Sequence, residues 1–303
     1  MVVIANPMSA YGRSRGIAER VAAALRAHGC RPTLLFTEHP GHAADLARRH
    51  AGESDLLLAV GGDGTYREVA AGLLEAEGPV PDLGIIPAGR GNDLARTLGI
   101  ATDPRVAVQQ ALDGSQVLLD VGWVEEPRAP FLGVAGCGFD SRVVARMASG
   151  RWPYRGRTGY TFGVLAEVAR LRPVPMRVRV DDAVFDGDAL LVAIGNTPSY
   201  GGGMRIAPHA DPTDGLLDVV IVRAVGRLRL LRIFPRVFAG SHVDLPEVTV
   251  LRGRRVTLEP SAPLPMLLDG DLVGTAPATI TVQPGALRVR VPREGALPLT
   301  TPR

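Results

Sequence analysis

The stretch "AVGGDGTYREV", residues 59–69, places a bare backbone between an apolar run and a helical pattern. Gly61, Gly62 and Gly64 permit positive φ and let main-chain N–H groups approach an anion that a Cβ would hold off. A turn of this kind, at the carboxyl end of a strand where a helix begins, suits phosphate. Asp63 inside the turn repels phosphate unless a cation bridges the two, and Mg²⁺ takes carboxylates together with phosphate oxygens. Thr65 can cap the helix or donate to a phosphate oxygen, and Glu68 three residues on completes a capping box. One strand later "PAGRGNDLAR" repeats the arrangement with Gly89, Arg90, Gly91 and Asn92, and "ANPMSAYGRSRG" stands at the first strand.

The spacing is not G-x-G-x-x-G, so the dinucleotide fingerprint is not met. All 34 basic residues are arginine, because the chain has no lysine. That excludes a Walker-type loop, a protein-kinase strand lysine and Schiff-base chemistry, each of which needs an ammonium group.

Five Asp-Gly pairs occur, at Asp63, Asp113, Asp186, Asp214 and Asp269. Asp-Gly is a standard hairpin-turn dipeptide, and Asp113 and Asp186 are read that way. "HADPTDGLLDVVIV" sets Asp211, Asp214 and Asp218 before and within a strand, which suits either a hard cation or a plain turn. "LLDGDLVG" offers Asp269 and Asp271 across a glycine, a pattern that by itself reads as a hairpin turn. His209 is read as a turn histidine.

These groups need elements to hold them. Over the first 120 residues apolar runs ("VVIANP", "TLLF", "DLLLAVGG", "DLGIIPAG") alternate with helical patterns, as in an open, mostly parallel α/β sheet covered on both faces. In the first helix Ile17, Val21, Ala24 and Leu25 share a face. Afterwards the texture turns to alternating β-branched runs and short turns, which predicts an antiparallel sandwich or barrel with helices only at 158–172 and 227–238. The expected organisation is a nucleotide-type α/β domain over 1–123, a sandwich over 124–292 and a disordered tail over 293–303.

With 46% hydrophobic and 21% charged residues the chain is globular in composition. Cys30 and Cys137 make neither a disulfide framework nor a zinc cluster, and no targeting or membrane-spanning segment is read, so a cytoplasmic location is expected. Charge is uneven. Nine arginines against Glu167 alone lie between Ser141 and Val180, and residues 222–242 hold no acid. Such patches attract anions or an anionic membrane surface, and the stripe Tyr160, Val164, Val168 and Leu171 is a candidate docking face with a core-facing helix as its alternative. The 227–238 segment carries the same ambiguity. Nucleic acid is not expected, for the basic stretches lack interleaved aromatic residues.

Taken together, "NPMSAYGRSRG", "TEHPGHA", "GGDGTYREV", "PAGRGNDLAR", "YGGGMRIAPHADPTDGLLDV" and "LDGD" resemble the diacylglycerol kinase catalytic family, which includes bacterial soluble lipid kinases and the sphingosine and ceramide kinases. The likeness runs in order from Asn6 to about Gly274; G-G-D-G-T alone is also similar to NAD kinases and phosphofructokinases. The resemblance implies ATP bound between an α/β domain and a β-sandwich. By it, Asn6, Pro7 and Thr37 would contact the nucleotide, Gly61, Gly62, Asp63, Gly64, Thr65, Tyr66 and Arg67 would wrap its phosphates, and Asn92 would add to the set. Arg90 stands where many relatives have threonine or serine, which exchanges a hydroxyl for a guanidinium able to pair with phosphate.

The resemblance further implies a structural Mg²⁺ at Asp211, Asp214 and the carbonyl of Leu216, with Asp93 and Asp120 near a catalytic metal. The family's base is the glutamate of an Asp-Gly-Glu triplet, here Asp269-Gly270-Asp271, so Asp271 takes that role one methylene shorter, with Asp269 and Asp63 beside it in the catalytic set. The implied reaction is ATP-dependent phosphorylation of a membrane lipid hydroxyl, foremost diacylglycerol to phosphatidic acid, by a protein held at the inner face of the cell membrane and able to dimerise. A kinase of another lipid or of a soluble substrate such as NAD, and a nucleotide-binding regulator without turnover, are the competing readings.

Overall fold

A computed structural model describes residues 1–149, 163 and 166–293. The chain divides into two compact units: Met1–Val121 with Asp211–Asp214 and the segment from Gln283, and Gly122–Ala210 with Gly215–Val282. Among the described residues no helix is long and apolar enough to cross a membrane.

In the first unit β1 (Val2–Ala5), β2 (Thr33–Phe36), β3 (Leu56–Gly61) and β4 (Asp82–Pro87) pair in parallel in the order β2-β1-β3-β4. β1, β3 and β4 are buried at every position, as continuous apolar runs covered on both faces require. Crossovers run through α1 (Ser14–Ala27), α2 (His42–His50) and α3 (Asp63–Leu74), followed by α4 (Asp93–Thr97) and α5 (Pro104–Asp113). The α1 core face is Ala18, Val21, Ala22 and Leu25, rotated slightly from expectation, with Ile17 and Ala24 at its margins. Helix α2 lies so close to α3 that a Cβ on Gly72 would strike the Ala44 carbonyl.

The second unit is the antiparallel sandwich. β6 (Ala129–Phe131), β7 (Val134–Gly138), β8 (Val174–Val180), β9 (Ala183–Gly195), β10 (Leu217–Arg223), β11 (Val248–Gly253), β12 (Arg255–Pro260), β13 (Leu264–Leu268) and β14 (Asp271–Ala276) follow one another in the chain. The order β14-β13-β7-β9-β8-β12 is antiparallel throughout, and β10 pairs with both β9 and β11. Strand β8 shows strict alternation, with Val174, Met176, Val178 and Val180 buried in the core and Arg177 and Arg179 outside.

The structure corrects several expectations. Strands β5 (Ser115–Val124) and β15 (Ala278–Val291) each run from one unit into the other, and residues 283–291 belong with the first unit, where Val289 pairs in parallel with Leu83 and Arg290 binds Asp82 at 2.7 Å. The second compact unit ends at Val282 and is interrupted at Asp211–Asp214. Helix α6 (Phe139–Ala148) was not expected; Asp140, Ser141 and Val143 form its buried face. Asp113 closes α5, and Asp186 lies inside β9 opposite Arg177, so neither makes a hairpin turn. The turn between β8 and β9 uses Asp181 at φ 47° instead. The 227–238 pattern forms α7 (Arg227–Ile233) and α8 (Arg236–Ala239), broken at Pro235. Of the stripe proposed at 158–172, Tyr160 and Val164 lie outside the described residues, as does the tail from 294, whereas Val168 is buried and Leu171 packs with it.

Candidate active site

Both glycine turns sit where expected, at the carboxyl ends of the adjacent strands β3 and β4. The physical need for glycine differs from the one anticipated. Gly62 has φ −113°, in the extended region, and Gly61 is not left-handed either. Space is what excludes a side chain: a Cβ on Gly89 would lie 2.5 Å from the Gly62 Cα, and a Cβ on Gly61 would collide with Thr65. The two turns are thus pressed backbone to backbone, which concentrates main-chain N–H groups in one place.

Asp63 binds the turns together. Its Oδ1 accepts from the Leu94 N–H at 3.0 Å, so the first residue of α3 caps the start of α4. Burial raises the Asp63 carboxyl above its ordinary range; the Leu94 N–H works against this, and the negative charge of Asp93 adds to it. Asp93 is itself buried and pairs with Arg96 Nη1 at 2.6 Å. Asn92, at φ 51°, closes its own turn: its Oδ1 accepts from Gly89 N–H at 2.9 Å and its Nδ2 donates to Gly89 O at 3.2 Å. Arg90, at the tip, is exposed.

One expectation in this turn is overturned. The capping box of Thr65 and Glu68 does not form, because Gly62 is the cap residue and Thr65 falls inside the helix; Glu68 Oε2 accepts from Ala43 N–H at 3.3 Å instead. Tyr66 does not present its side chain to a ligand. It is fully buried, its hydroxyl donates to Gly61 O at 2.7 Å and Ile86 O at 3.3 Å, and burial pushes that hydroxyl well above the ordinary tyrosine range. Tyr66 braces the two strand ends from below, leaving Arg67 half-buried beside them. Asn6 joins the group, its N–H bonded to Val60 O and its Nδ2 3.5 Å from Thr65 Oγ1, with Pro7 next to it; Thr37 N–H donates to Ala5 O at the end of the neighbouring strand.

Asp120 and the Asp211–Asp214 loop meet in the first unit. Asp120 N–H donates to Pro212 O at 2.7 Å, and its buried Oδ1 accepts from Gly285 N–H at 2.8 Å. Asp211 Oδ1 accepts from the Thr213 N–H and hydroxyl, which shapes the loop ahead of Leu216. Among the described residues no three His, Cys, Asp or Glu side chains converge as a metal cluster.

In the sandwich unit, Leu268 and Asp271 pair across a two-residue turn in which Asp269 (φ 51°) and Gly270 (φ 90°) are both left-handed, a type I′ hairpin. The Asp269 carboxylate accepts from three backbone N–H groups, Leu132 at 2.9 Å, Gly133 at 2.8 Å and Val134 at 3.1 Å. Through these bonds the side chain clamps the hairpin in position. Asp271, next in line, is exposed at the tip.

The same unit contains an apolar pocket that sequence reasoning missed. Phe139, Leu190, Leu191, Val222, Leu230 and Ile233 are among its walls, contributed by α6, β9, β10 and α7. Its residues are scattered over more than a hundred positions, so no local pattern could announce it. Asp140 stands at its wall, with Oδ1 bonded to Ser141 N–H at 2.7 Å and Oδ2 to the Tyr200 hydroxyl at 3.2 Å; burial raises its carboxyl to about 6.

Tight glycine turns on a parallel sheet, joined to an antiparallel sandwich with an acid-tipped hairpin and an apolar cavity, define a kinase of the two-unit α/β-plus-sandwich class. The chain belongs to the diacylglycerol kinase family: residues 1–124 match the diacylglycerol kinase catalytic domain, and 133–291 the YegS C-terminal NAD kinase beta sandwich-like domain. It is 38% identical over 302 residues to a diacylglycerol kinase of Mycobacterium tuberculosis (strain ATCC 25618 / H37Rv), covering 97% of this chain and 96% of that one. Against the Bacillus subtilis (strain 168) diacylglycerol kinase it is 27% identical over 296 residues, 97% of each. A solved structure from Bacillus anthracis str. Sterne shares the fold with TM-score 0.81 at 24% identity, covering 98% of this chain and 96% of that one. Membership makes the protein a phosphotransferase with a lipid alcohol group as acceptor, and implies ATP use.

Proposed function

We propose that this enzyme transfers the γ-phosphoryl group of ATP to the hydroxyl of diacylglycerol at an anionic membrane surface, giving phosphatidic acid, with Mg²⁺ as its metal. The apolar pocket of the sandwich unit is the observation that carries the lipid acceptor, since walls of leucine, isoleucine, valine and phenylalanine suit an acyl chain better than a soluble nucleotide. The named relatives support diacylglycerol as that acceptor.

In this reading the paired turns, with Gly61, Gly62, Thr65, Arg67 and Arg90, hold the phosphates, and Asn6, Pro7, Thr37 and Asn92, whose Oδ1 takes the Gly89 N–H, shape the rest of the nucleotide site. Asp63 and Asp93 fit Mg²⁺. They are two partly or fully buried carboxylates, burial first and the charge of Asp93 after it raising the carboxyl of Asp63, and such a pair takes the ion together with phosphate oxygens. When bound, Mg²⁺ neutralises charge on the transferring group. Asp211, Asp214 and the Leu216 carbonyl, braced by Asp120, are assigned to a second, structural ion.

Asp271 accepts the proton of the lipid hydroxyl as its oxygen bonds to the γ-phosphorus and the bond from that phosphorus to the β,γ-bridging oxygen breaks, releasing ADP. Asp269 holds the hairpin that carries this base. The test is purified protein with radiolabelled ATP, Mg²⁺ and dioctanoylglycerol. Labelled dioctanoyl phosphatidic acid is the expected product; label in NAD or in no lipid would refute the reading.

A further inference from the structure

The acid-free stretch at 222–242 folds into α7 and α8, and its side chains divide by face. Leu230, Ile233, Phe234 and Val237 turn inward and wall the apolar cavity. Leu228, Leu231 and Phe238 turn outward with 74%, 47% and 54% of their surface exposed. Nine large hydrophobic residues are exposed among the described residues, and these three fall within eleven positions, so they form a patch and not scattered exposure. Arg227, Arg232 and Arg236 are exposed around it. Arg229 is engaged with Glu247 at 2.7 and 3.2 Å, Arg223 with Thr249, and Asp244 is the other acid in the segment that follows.

Exposed leucine and phenylalanine favour hydrocarbon, and the arginines favour phosphate. An anionic bilayer interface offers both at once. A second copy of this chain does not, because a two-fold contact would set the same arginines against one another. The other basic segment is a poorer candidate, since Val168 and Leu171 of its stripe pack into the core.

We propose that α7 and α8 are the membrane-docking element, with Leu228, Leu231 and Phe238 entering the headgroup boundary of an anionic bilayer and Arg227, Arg232 and Arg236 resting on lipid phosphates. Docking through the outer face of the elements that wall the cavity places that cavity against the membrane. The proposal deepens the lipid-kinase reading and rests on it for its purpose, but its test uses no reaction.

The full chain, without nucleotide, is co-sedimented with phosphatidylcholine vesicles with and without phosphatidylglycerol. Leu228→Glu/Phe238→Glu is expected to lower the partition coefficient about tenfold or more. Arg232→Glu/Arg236→Glu is expected to lower it on anionic vesicles alone, with a loss that high salt reproduces in the parent. In a second measurement Phe238→Trp, which keeps the apolar tip, retains binding and its fluorescence shifts to the blue on vesicles. The proposal is overturned if the double variants sediment like the parent or if the parent binds neutral vesicles equally well. It is equally overturned if the Leu228/Phe238 pair changes the oligomeric state on gel filtration and leaves vesicle binding intact. Phosphorylation of dioctanoylglycerol, measured separately, reports whether the kinase reading itself holds.

Discussion

At the residue scale the chemistry separates groups that react from groups that hold. Asp271→Asn is expected to lower kcat by about 10²- to 10⁴-fold, the usual worth of a positioned proton acceptor, and to leave the ATP KM within about twofold. Asp271→Glu, which restores the family's longer side chain, should retain most of the activity. Gly89→Ala drives a methyl group into the Gly62 backbone, so weakened ATP binding and a loss of about 1–3 kcal/mol in a urea titration are expected. The glycine turns were legible from composition and spacing. The reason for the glycines was not, because the contact between residues 62 and 89 exists only once two strands lie side by side. The bonding of Tyr66 and Asp269 was not legible for the same cause: each sits in a motif, yet buried carbonyls or three backbone N–H groups claim its polar atoms.

At the scale of elements, the parallel strands were readable because burial on both faces demands continuous apolar runs, and β8 because burial on one face demands alternation. Helix α6 escaped because its buried positions are Asp140, Ser141 and Val143, two of them polar, and periodicity searches look for apolar faces. The buried Asp140 has a consequence for stability. Its folded pKa of about 6 lies above the unfolded value of 3.8, so the stability from its neutral form is fully present below 3.8 and lost as pH rises through 6. At about 1.36 kcal/mol per unit that loss is on the order of 3 kcal/mol. Asp140→Asn should therefore remove this component of the pH dependence: urea midpoints measured between about pH 4 and about pH 7.5 should diverge in favour of the variant as pH rises.

At the scale of the whole molecule, the division into a nucleotide half and a sandwich half was visible in the change of texture near residue 120, but the return of the chain was not. Residues 283–291 look like any other alternating strand, and only pairing with Leu83 and the arginine contacts of Asp82 assign them to the first unit. A fragment ending at residue 123 thus lacks part of its own sheet and leaves Asp82 without Arg288 and Arg290. It is expected to give a broad, weakly cooperative thermal transition, whereas the full chain melts sharply. The apolar pocket also belongs to this scale, as it forms from elements that share no local pattern.

The most direct test of the central claim is the identity of the labelled product when full-length protein, labelled ATP and Mg²⁺ meet a total lipid extract, run in parallel with Asp271→Asn. The account predicts a single labelled class, phosphatidic acid, lost in the variant by about 10²-fold or more. Label confined to a water-soluble product, or a variant that turns over like its parent, would contradict it.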